Sequence, residues 1–456
     1  MLKIDPEQLA VANLQPILQH LLEKHNATHA NRLQNYYEGQ HDILTRQMAD
    51  SAKPNNKLVN NLAAYITDTL TGYFMGKPVV YSLDEESEEE YLEVLNEINE
   101  YNDEQDHNAE LAKSASIKGI GYELLYLDED AHVRFAELPC ENVIYVETDD
   151  VACEPALAVR IYDIDDIHDG GRRHYYDVYT DNEIITYEGT MENQVKSLAE
   201  IGRKEHYFQG VPVIAYPNNK ELMGDFEGVL TLIDAYNIAQ SDTANDFEYF
   251  TDAYLLLTGA ELDPKQAATM KENRTITLPD KDCAAAWLIK QINDTAVENY
   301  KNRLRRDIHA LSKTPNLTDE QFGGNMSGIA ISYKLWGMEQ IASMKERKFK
   351  RALQRRIELI TNILNVKGKS YDWQDVNIIF SRNMPQNLPE IVQMAISLKG
   401  IVSDETLLAQ LPFVEDIQAE LDRLATQNEG MVDLDNVDDE KNEEMVEAVD
   451  ENGPTE

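Results

Sequence analysis

The residue types best suited to hold a metal ion come together in one acidic stretch near position 165. Four aspartates and one histidine share it: Asp163, Asp165, Asp166, His168 and Asp169. Carboxylates and imidazole are ligands that divalent ions accept. The stretch lies between two predicted strands, however, and Gly170-Gly171 closes it as a turn. We therefore predict a polar strand connection and no functional metal site, with a divalent ion at Asp163–Asp169 as the less favoured alternative.

Two short motifs resemble catalytic loops but depart from the required patterns. Gly368-Lys369-Ser370 looks like the end of a phosphate-binding loop, yet Ile363 stands where the first glycine of that loop should be. Gly324-Asn325-Met326-Ser327-Gly328 places its serine one position too late for a nucleophile elbow, and no strand precedes it. The sequence therefore predicts no catalytic residue, no cofactor and no enzymatic activity.

The three cysteines, Cys140, Cys153 and Cys283, are too few and too scattered for a disulfide framework or a zinc site. The apolar runs fall short of the roughly 20 residues that a membrane-spanning helix needs. The start, Met1–Glu7, lacks the order of basic and then apolar residues that a signal peptide has. We therefore expect a soluble protein made in the cytoplasm.

Two helices of opposite charge enclose a small insert in the middle of the chain. The spacing of apolar residues predicts helices over Asp225–Phe250 and Asp294–Leu311. The first has acids and no Lys or Arg, and the second has a basic cluster, so the helices attract each other within one chain or between copies. The residues expected to make these contacts are Asp234, Asp242, Asp246, Lys301, Arg303, Arg305 and Arg306. The insert has three strand-like runs: Ala253–Thr258, Thr275–Leu278 and Ala286–Ile289.

A glycine-containing loop follows the second helix and leads into a very long one. Pro315 blocks helix continuation, and Gly323 and Gly324 permit backbone angles that other residues avoid. The next helix is predicted from Ser327 to Leu364, with a bend at Gly337. Its core-facing residues are predicted to be Trp336, Met338, Ile341, Met344, Phe349, Leu353, Ile357, Ile360 and Leu364.

This order of elements resembles the portal proteins of tailed bacteriophages, in the branch common among long-tailed phages of Gram-positive hosts. The resemblance is densest at Phe322-Gly323-Gly324-Asn325-Met326-Ser327-Gly328. Further matching segments are Tyr36-Tyr37-Glu38-Gly39, Asn55-Asn56-Lys57-Leu58-Val59-Asn60, residues 72–79, Val211-Pro212-Val213-Ile214 and Gly224-Asp225-Phe226-Glu227. The likeness covers roughly residues 36 to 389.

The resemblance implies a ring, expected to be a dodecamer, at one vertex of the virion capsid, assembled in the bacterial host cytoplasm. Double-stranded DNA would be packaged and ejected through it, and it would contact terminase, head-completion or adaptor, scaffolding and major capsid proteins. The loop residues facing DNA would be Thr318, Gln321, Phe322, Gly323, Gly324, Asn325, Met326 and Ser327. An oligomeric scaffold without DNA transit is the alternative, and an enzyme with an acidic metal site is a third hypothesis.

By position, the resemblance divides the chain into the parts of a portal subunit. The parts are a wing (1–224 and 328–394), stem helices (225–250 and 294–311), a clip (251–293), a channel loop (312–327) and a crown (395–428). The fold class is α+β: a mixed wing, a two-helix stem with a small clip insert, a long kinked helix and a helical crown. Residues 429–456 contain twelve acids and one Lys, a composition typical of a disordered tail.

The formal net charge of the 456-residue chain is −42. Tight phosphate binding relies on Lys and Arg that displace counterions from DNA, so we expect no tight DNA-binding patch. A channel that repels phosphates would still let a duplex slide. The most basic stretch, Lys345–Arg356, is therefore predicted to pair with acidic surfaces such as Asp84–Glu110 on the same or a neighbouring chain, with a nucleic-acid patch as the alternative.

The wing is predicted to contain helices up to about residue 110 and strands beyond. One helix is expected over Asn56–Phe74 and another within Asp84–Glu110, the latter solvated over the core. Between Gly119 and Tyr216, short apolar runs bounded by Gly, Pro, Asp or Asn predict an antiparallel meander. A last strand is expected over Asp375–Ser381, and helices from Pro385 to Thr426.

Overall fold

The computed structural model describes residues 2–5, 14–51, 53–83, 89–165, 171–189, 198–250, 254–258, 283–288, 294–317, 328–383, 388–408, 411, 414, 420–421 and 423–425. They form two units, one of residues 1–326 with 330–383 and one of 327–329 with 384–456. The described chain mixes helices and sheets, which confirms the α+β class. The channel-loop residues Thr318 and Gln321–Ser327, and the tail 429–456, lie outside the described residues.

Ten α-helices are described. They are α1 (Gln15–Lys24), α2 (Thr28–Tyr37), α3 (Leu62–Met75), α4 (Glu89–Tyr101), α5 (Glu104–Lys118), α6 (Leu230–Phe250), α7 (Asp294–Ser312), α8 (Gly328–Val366), α9 (Leu388–Leu398) and α10 (Asp404–Leu408). Short 3-10 turns are at Asp42–Thr45, Cys140–Asn142, Glu227–Val229 and Trp373–Asp375. None of the helices in the described part of the chain combines the length and apolarity that a membrane crossing requires.

Thirteen strands are described. They are β1 (Leu2–Ile4), β2 (Val80–Leu83), β3 (Ile120–Leu127), β4 (Val133–Leu138), β5 (Val143–Thr148), β6 (Pro155–Asp165), β7 (Arg172–Tyr179), β8 (Glu183–Gly189), β9 (Leu198–Glu205), β10 (Val213–Pro217), β11 (Tyr254–Thr258), β12 (Ala284–Leu288) and β13 (Val376–Ile379). The sheet orders are β1-β5-β6-β7-β8-β9, β10-β3-β4, β11-β12 and β13-β2.

The prediction of a single antiparallel meander between Gly119 and Tyr216 is therefore wrong for its first two strands. Strands β5 to β9 do run antiparallel in chain order, but β1 adds to β5 in parallel. Strands β3 and β4 belong to a separate sheet, in which β10 pairs with β3. Residues 120–125 of β3 are buried on both faces, so a packed layer lies on each side of this strand.

Strand β3 separates two apolar cores. Tyr122 and Leu124 lie in the core shared with the first strands of the large sheet. Leu125, on the opposite face, lies in the largest core, which surrounds the second half of α8. The predicted core residues of α8 that are fully buried there are Phe349, Leu353, Ile357, Ile360 and Leu364. Because Glu123 alternates with Tyr122 and Leu124, its carboxylate enters the α8 core.

Two of the predicted core residues of α8 are on its exposed side. Trp336 is 62% exposed and Met344 is 51% exposed. The helix is continuous through Gly337, whose missing Cβ would lie 3.4 Å from the Cβ of Lys313. This is an ordinary van der Waals distance, and the bend expected at Gly337 stays a prediction.

The acidic region Asp84–Glu110 also differs from the expectation of one helix. Its described part forms α4 and α5, and the break is at Asp103, which has a left-handed backbone with φ of 50°. The break turns the start of α5 inward, and Glu104 is only 7% exposed. The region is therefore not solvated throughout, because α5 contributes a buried carboxylate to the core.

A buried arginine joins α8 to this carboxylate and to β3. Arg356 is 1% exposed, and its guanidinium lies 3.3 Å from a carboxylate oxygen of Glu104 and 2.8 Å from one of Glu123. The predicted pairing of the basic stretch with the acidic region is therefore confirmed for Arg356. His107 Nε2 and the Tyr216 hydroxyl also contact the Glu123 carboxylate, at 2.8 and 2.7 Å.

These contacts keep Glu123 ionised inside the core. Burial by itself would raise its pKa, but Arg356 and His107 more than offset burial and lower the pKa from 4.5 to about 2. A carboxyl whose folded-state pKa is depressed stabilises the fold fully above its unfolded pKa. We therefore expect this contribution at neutral pH and its progressive loss as the pH falls from about 4.5 towards 2.

Replacing Arg356 by Ala should destabilise the protein by about 3 to 5 kcal/mol near pH 7, because two buried carboxylates lose their cation. The Tm deficit relative to the wild type should shrink on acidification, since the buried Glu123 carboxylate can then protonate. Thermal unfolding at several pH values measures this. Lys350→Ala is the matched control, because Lys350 lies on α8 without a described carboxylate within 4 Å. A small, pH-independent deficit for Arg356→Ala would contradict the assignment.

Candidate functional site

The two helices of opposite charge lie side by side. Helix α7 has the predicted bounds to within one residue, whereas α6 begins after the 3-10 turn Glu227–Val229. Ile233 on α6 and Leu304 and Ile308 on α7 are buried. The predicted apolar stripe of α6 does not extend to Phe247, which is 61% exposed.

The insert between these helices contains a β-hairpin. Strands β11 and β12 pair antiparallel, with Tyr254 opposite Leu288 and Thr258 opposite Ala284. This confirms two of the three predicted strands, and Thr275–Leu278 lies outside the described residues. An isolated two-stranded hairpin is at best marginally stable in water, so this hairpin should require further packing.

The acids of α6 mainly contact the N-terminal region of their own chain. Asp234 accepts a hydrogen bond from the Tyr36 hydroxyl at 2.8 Å. Asp242 pairs with Arg46 at 2.8 Å. Asp246 is half-buried and has an interaction of its own. Two of the three acids predicted to contact a neighbouring copy therefore have described partners within the chain.

The cations of α7 divide into a buried residue and an exposed group. Lys301 is 7% exposed and pairs with Glu298 one turn earlier. Arg303, Arg305 and Arg306 are exposed. Arg306 lies 3.7 Å from Asp307, and no described carboxylate is within 4 Å of Arg303 or Arg305. This arginine face of α7 is consequently available to another molecule.

Residues 55–60, which we name the strap, lie along α6. Sequence analysis placed them in a helix from Asn56, but α3 begins only at Leu62. The N–H groups of Asn56, Leu58 and Asn60 donate to side chains of α6 instead. Their acceptors, in the same order, are Asn245 Oδ1 at 2.7 Å, Ser241 Oγ at 2.9 Å and Asn237 Oδ1 at 2.8 Å.

The strap can bond to α6 at regular intervals because alternate residues of the strap and successive turns of α6 have almost the same axial spacing. Two residues of an extended chain advance about 6.6 Å, and four residues of a helix advance about 6.0 Å. Alternate N–H groups of the strap can therefore meet successive turns of α6, running in the opposite direction. Asn237 and Ser241 are fully buried under it, so each polar group gains a partner that it could not obtain from water.

His41 extends the same network. Its Nε2 must donate to the carbonyl oxygen of Tyr36 at 2.9 Å, which leaves Nδ1 to accept from Asn237 Nδ2 at 2.8 Å. The Tyr36 and His41 rings stack with centroids 4.6 Å apart. The motifs beginning at Tyr36 and Asn55 thus converge on one face of α6, although they are far from it in sequence.

Asp225 anchors the start of the paired helices to α5 and α8. Its carboxylate pairs with Lys345 of α8, and both side chains are almost buried, at 5% and 6% exposed. The Ser116 hydroxyl donates to the same carboxylate, and Asn218 Nδ2 donates to it at 2.9 Å. A backbone bond from Asp225 N to the Ser116 carbonyl, 2.8 Å, closes the junction.

The motif Gly224-Asp225-Phe226-Glu227 has a role at each position. A Cβ on Gly224 would lie 2.3 Å from the carbonyl oxygen of Ile117. Phe226 is fully buried. The Glu227 carboxylate accepts from Gly224 N and lies 3.0 Å from His29 Nε2. This segment therefore fixes both the entry point and the direction of α6.

Tyr65 of α3 holds the chain just before the predicted channel loop. Its hydroxyl donates to the Pro315 carbonyl and accepts from Leu317 N, both at 2.9 Å. His309 Nδ1 bonds the Thr314 carbonyl at 3.0 Å, and burial lowers the pKa of His309. The segment entering the loop is thus held by hydrogen bonds to Tyr65 and His309.

Sequence reasoning missed the residues that position the paired helices. Lys345 was assigned only to a basic stretch, and Tyr65 only to the helix predicted over Asn56–Phe74. The strap acceptors had a detectable signal, because Asn237, Ser241 and Asn245 repeat at intervals of four on a helix. Short polar side chains are poor helix formers, so three on one face indicate bonds to another segment.

The candidate metal cluster has charged partners instead. Asp163 lies 2.5 Å from His174 and 3.2 Å from Arg172. Asp165 lies 3.7 Å from Arg172, and residues 166–170 are outside the described part. Within the described residues, no three His, Cys, Asp or Glu side chains gather as a metal site would require. Gly368 ends α8 with φ of 97° and is followed by Lys369 paired with Glu90, as in an ordinary turn.

Comparison with known proteins gives a consistent result. A family model described as "Phage portal protein, SPP1 Gp6-like" matches residues 18–432. The portal protein of Bacillus phage SPP1 is 26% identical over 465 residues, covering 96% of this chain and 91% of the relative. The portal protein of Clostridium phage phiCD119 is 23% identical over 408 residues, covering 84% and 89%.

Solved structures also match. A chain from the "Neck of empty GTA particle computed with C6 symmetry" has a TM-score of 0.46 and 12% identity, covering 77% of this chain and 90% of that chain.

Gly224→Ala should destabilise the protein by roughly 1 to 3 kcal/mol, because the new methyl group would overlap a backbone carbonyl that cannot move freely. Gly228→Ala is the matched control, since a Cβ there meets nothing within 4 Å and removal of a glycine should stabilise by about 0.4 to 1 kcal/mol. Thermal unfolding should rank Gly228→Ala at or above the wild type and Gly224→Ala below it. Equal Tm values for the two variants would contradict this account of the junction.

Proposed function

Because the chain belongs to the family of SPP1 Gp6-like phage portal proteins, we propose that its copies close into a ring through which double-stranded DNA enters and leaves the capsid. The observation that carries the proposal is the family match over residues 18–432, which runs from within α1 to beyond α10. The ring is a dodecamer at one vertex of the virion capsid. It is assembled in the host cytoplasm and has no catalytic activity of its own.

Each part of the chain has a place in this ring. Residues 1–224 and 328–394 form the wing, and 395–428 form the crown. Helices α6 and α7 form the stem around the channel, and residues 251–293, including the β-hairpin, form the clip. Unpaired strand edges of a hairpin can be completed by strands from another chain. The clip is therefore the part expected to join neighbouring copies and to dock terminase and head-completion or adaptor proteins, whereas scaffolding and major capsid proteins contact the wider part.

The stem closes the ring through unlike surfaces. A contact between two different surfaces produces a closed ring when the rotation between copies divides a full turn. The arginine face of α7 supplies one surface, and the acidic α6 of the neighbouring copy supplies the other.

The channel loop, residues 312–327, lets DNA slide. Gln321 and Asn325 offer neutral hydrogen-bonding groups, and Asp319 and Glu320 discourage tight phosphate contact. The net charge of −42 acts in the same direction over the whole ring. Tyr65 holds residues 315 and 317 at the entrance of this loop.

Reversing Arg303, Arg305 and Arg306 to Glu should shift rings towards monomers in sedimentation. Each exposed pair is worth only about 0 to 1 kcal/mol, but the effect is repeated at every interface. Reversal of Lys24, Lys53 and Lys220, also exposed, changes the net charge equally and should leave the rings intact. Unchanged rings in the stem variant, or equal dissociation of both variants, would refute the stem contact.

Replacing Gly323 and Gly324 by Val should stiffen the channel loop without unfolding the core, because loops tolerate substitution better than packed elements. Rings should still form and keep their Tm, while the amount of DNA packaged in a reconstituted reaction falls. Gly202→Val, at an exposed strand position with open space around it, controls for a general effect of added valine. Packaging at the wild-type level would remove the loop from the DNA path.

A further inference from the structure

A straight ridge of exposed side chains follows the first half of α8. Its members recur at intervals of three or four and lie on one helix face: Tyr333, Trp336, Gln340, Met344, Arg347 and Arg351. Tyr333 is 78% exposed, Trp336 62% and Met344 51%. The opposite face, including Leu335, Met338, Ala342 and Lys345, is buried. The ridge is therefore turned away from the core of its own subunit.

The composition of the ridge is that of a protein interface. Aromatic residues, Met and Arg are enriched where proteins meet, whereas Lys and Glu are depleted there and typical of solvated surfaces. The ridge has no Lys and no Glu. No described carboxylate lies within 4 Å of Arg347 or Arg351, unlike Arg355 on the adjacent face, which pairs with Glu358 at 2.8 Å. The two cations of the ridge thus lack a carboxylate partner in the described chain, and its apolar side chains are largely exposed.

A surface of complementary charge runs along α4. Glu89, Glu93, Glu97 and Glu100 recur at intervals of four, four and three, and all are exposed. None of the four has a described Lys or Arg within 4 Å. The helix ends in Tyr101, which is 52% exposed. The glutamate face of α4 is therefore followed by an aromatic residue. The ridge of α8 likewise has an aromatic half beside a cationic half.

These two surfaces do not meet within one chain. The inner face of α4 packs on the second half of α8, where the Tyr91 and Thr361 hydroxyls are 2.6 Å apart. The glutamate face lies on the outside of α4, so it is directed away from the α8 beneath it. A contact between the glutamate face and the ridge consequently requires two copies of the chain.

We propose that the ridge of α8 in one subunit docks antiparallel on α4 of the next subunit, with Arg347 opposite Glu97 and Arg351 opposite Glu93. The spacings agree, since four residues span about 6 Å on either helix. Met344, about one turn before Arg347, then lies opposite Tyr101, one turn after Glu97. Trp336 continues the ridge beyond the end of α4. The contact joins two different surfaces, as closure of a ring requires. This inference rests on the proposed ring and identifies a second contact in it, outside the stem.

A DNA-binding role suits the ridge less well. Phosphate binding depends on closely placed Lys and Arg, whereas half of this ridge is aromatic or thioether in character. Exposed apolar side chains lose contact with water when a protein surface covers them, and a phosphate backbone offers no such cover. The protein partner is therefore favoured, and DNA becomes an outcome of the test.

Charge reversal on each side separately and together tests the pairing. One variant has Arg347→Glu and Arg351→Glu, and the other has Glu93→Arg and Glu97→Arg. Each alone should raise the concentration at which half of the chains are in rings by about tenfold or more, equivalent to ~1.4 kcal/mol per contact. An equimolar mixture should assemble again, because every interface of an alternating ring then joins opposite charges. Unchanged Tm values of the separate monomers show that both variants fold.

The outcomes separate this inference from the proposed function. The pairing would be contradicted if either variant alone formed rings at the wild-type concentration, or if the mixture stayed monomeric. Neither result would contradict the proposed portal ring. Intact rings of the α8 variant with reduced DNA packaging would assign the ridge to DNA and also overturn it. A wild type that forms no ring would overturn the proposed function, and this inference with it. Reversal of Lys24 and Lys220 is the matched control and should leave assembly unchanged.

Discussion

Two buried cations on one face of α8 hold the subunit together. Lys345 and Arg356 are eleven residues apart, which is three helical turns or about 16 Å. Lys345 pairs with Asp225 at the start of the stem, and Arg356 pairs with Glu104 and Glu123 inside the wing. A buried charge without a partner destabilises a fold by several kcal/mol. A shift of α8 by one turn would leave both cations unpaired, so its register is fixed against the wing and the stem together.

The paired helices α6 and α7, the proposed stem, are attached to the rest of the subunit along the side of α6 as well as at its start. The junction at Gly224 and Asp225 sets where α6 begins, and the strap sets its rotation, because only one face of α6 carries Asn237, Ser241 and Asn245. Tyr65 then holds the segment that follows α7, at residues 315 and 317. In the proposed ring, these attachments hold the stem and the loop entrance in a constant position while DNA moves past.

The sequence was sufficient for elements whose signal is local. Helix α7 and the long α8 were placed almost to the residue, because apolar spacing, Pro315 and the glycine-containing loop define their ends. Errors arose where the deciding partner is distant in sequence. Leu58 and Leu62 seemed to continue one helix, yet the strap N–H groups bond to α6, and β3 pairs with β10 rather than only with β4. Trp336 and Met344 were placed in the core because spacing alone does not distinguish a side chain that packs inside a subunit from one that faces outward.

Electron microscopy of the purified full-length chain tests the portal assignment most directly. Class averages should show closed rings of identical subunits with an open centre, since the paired stem helices of successive copies would surround a channel. Compact monomers at every protein and salt concentration would contradict the account. Closed assemblies without a central opening would contradict it as well, because DNA could not pass through them.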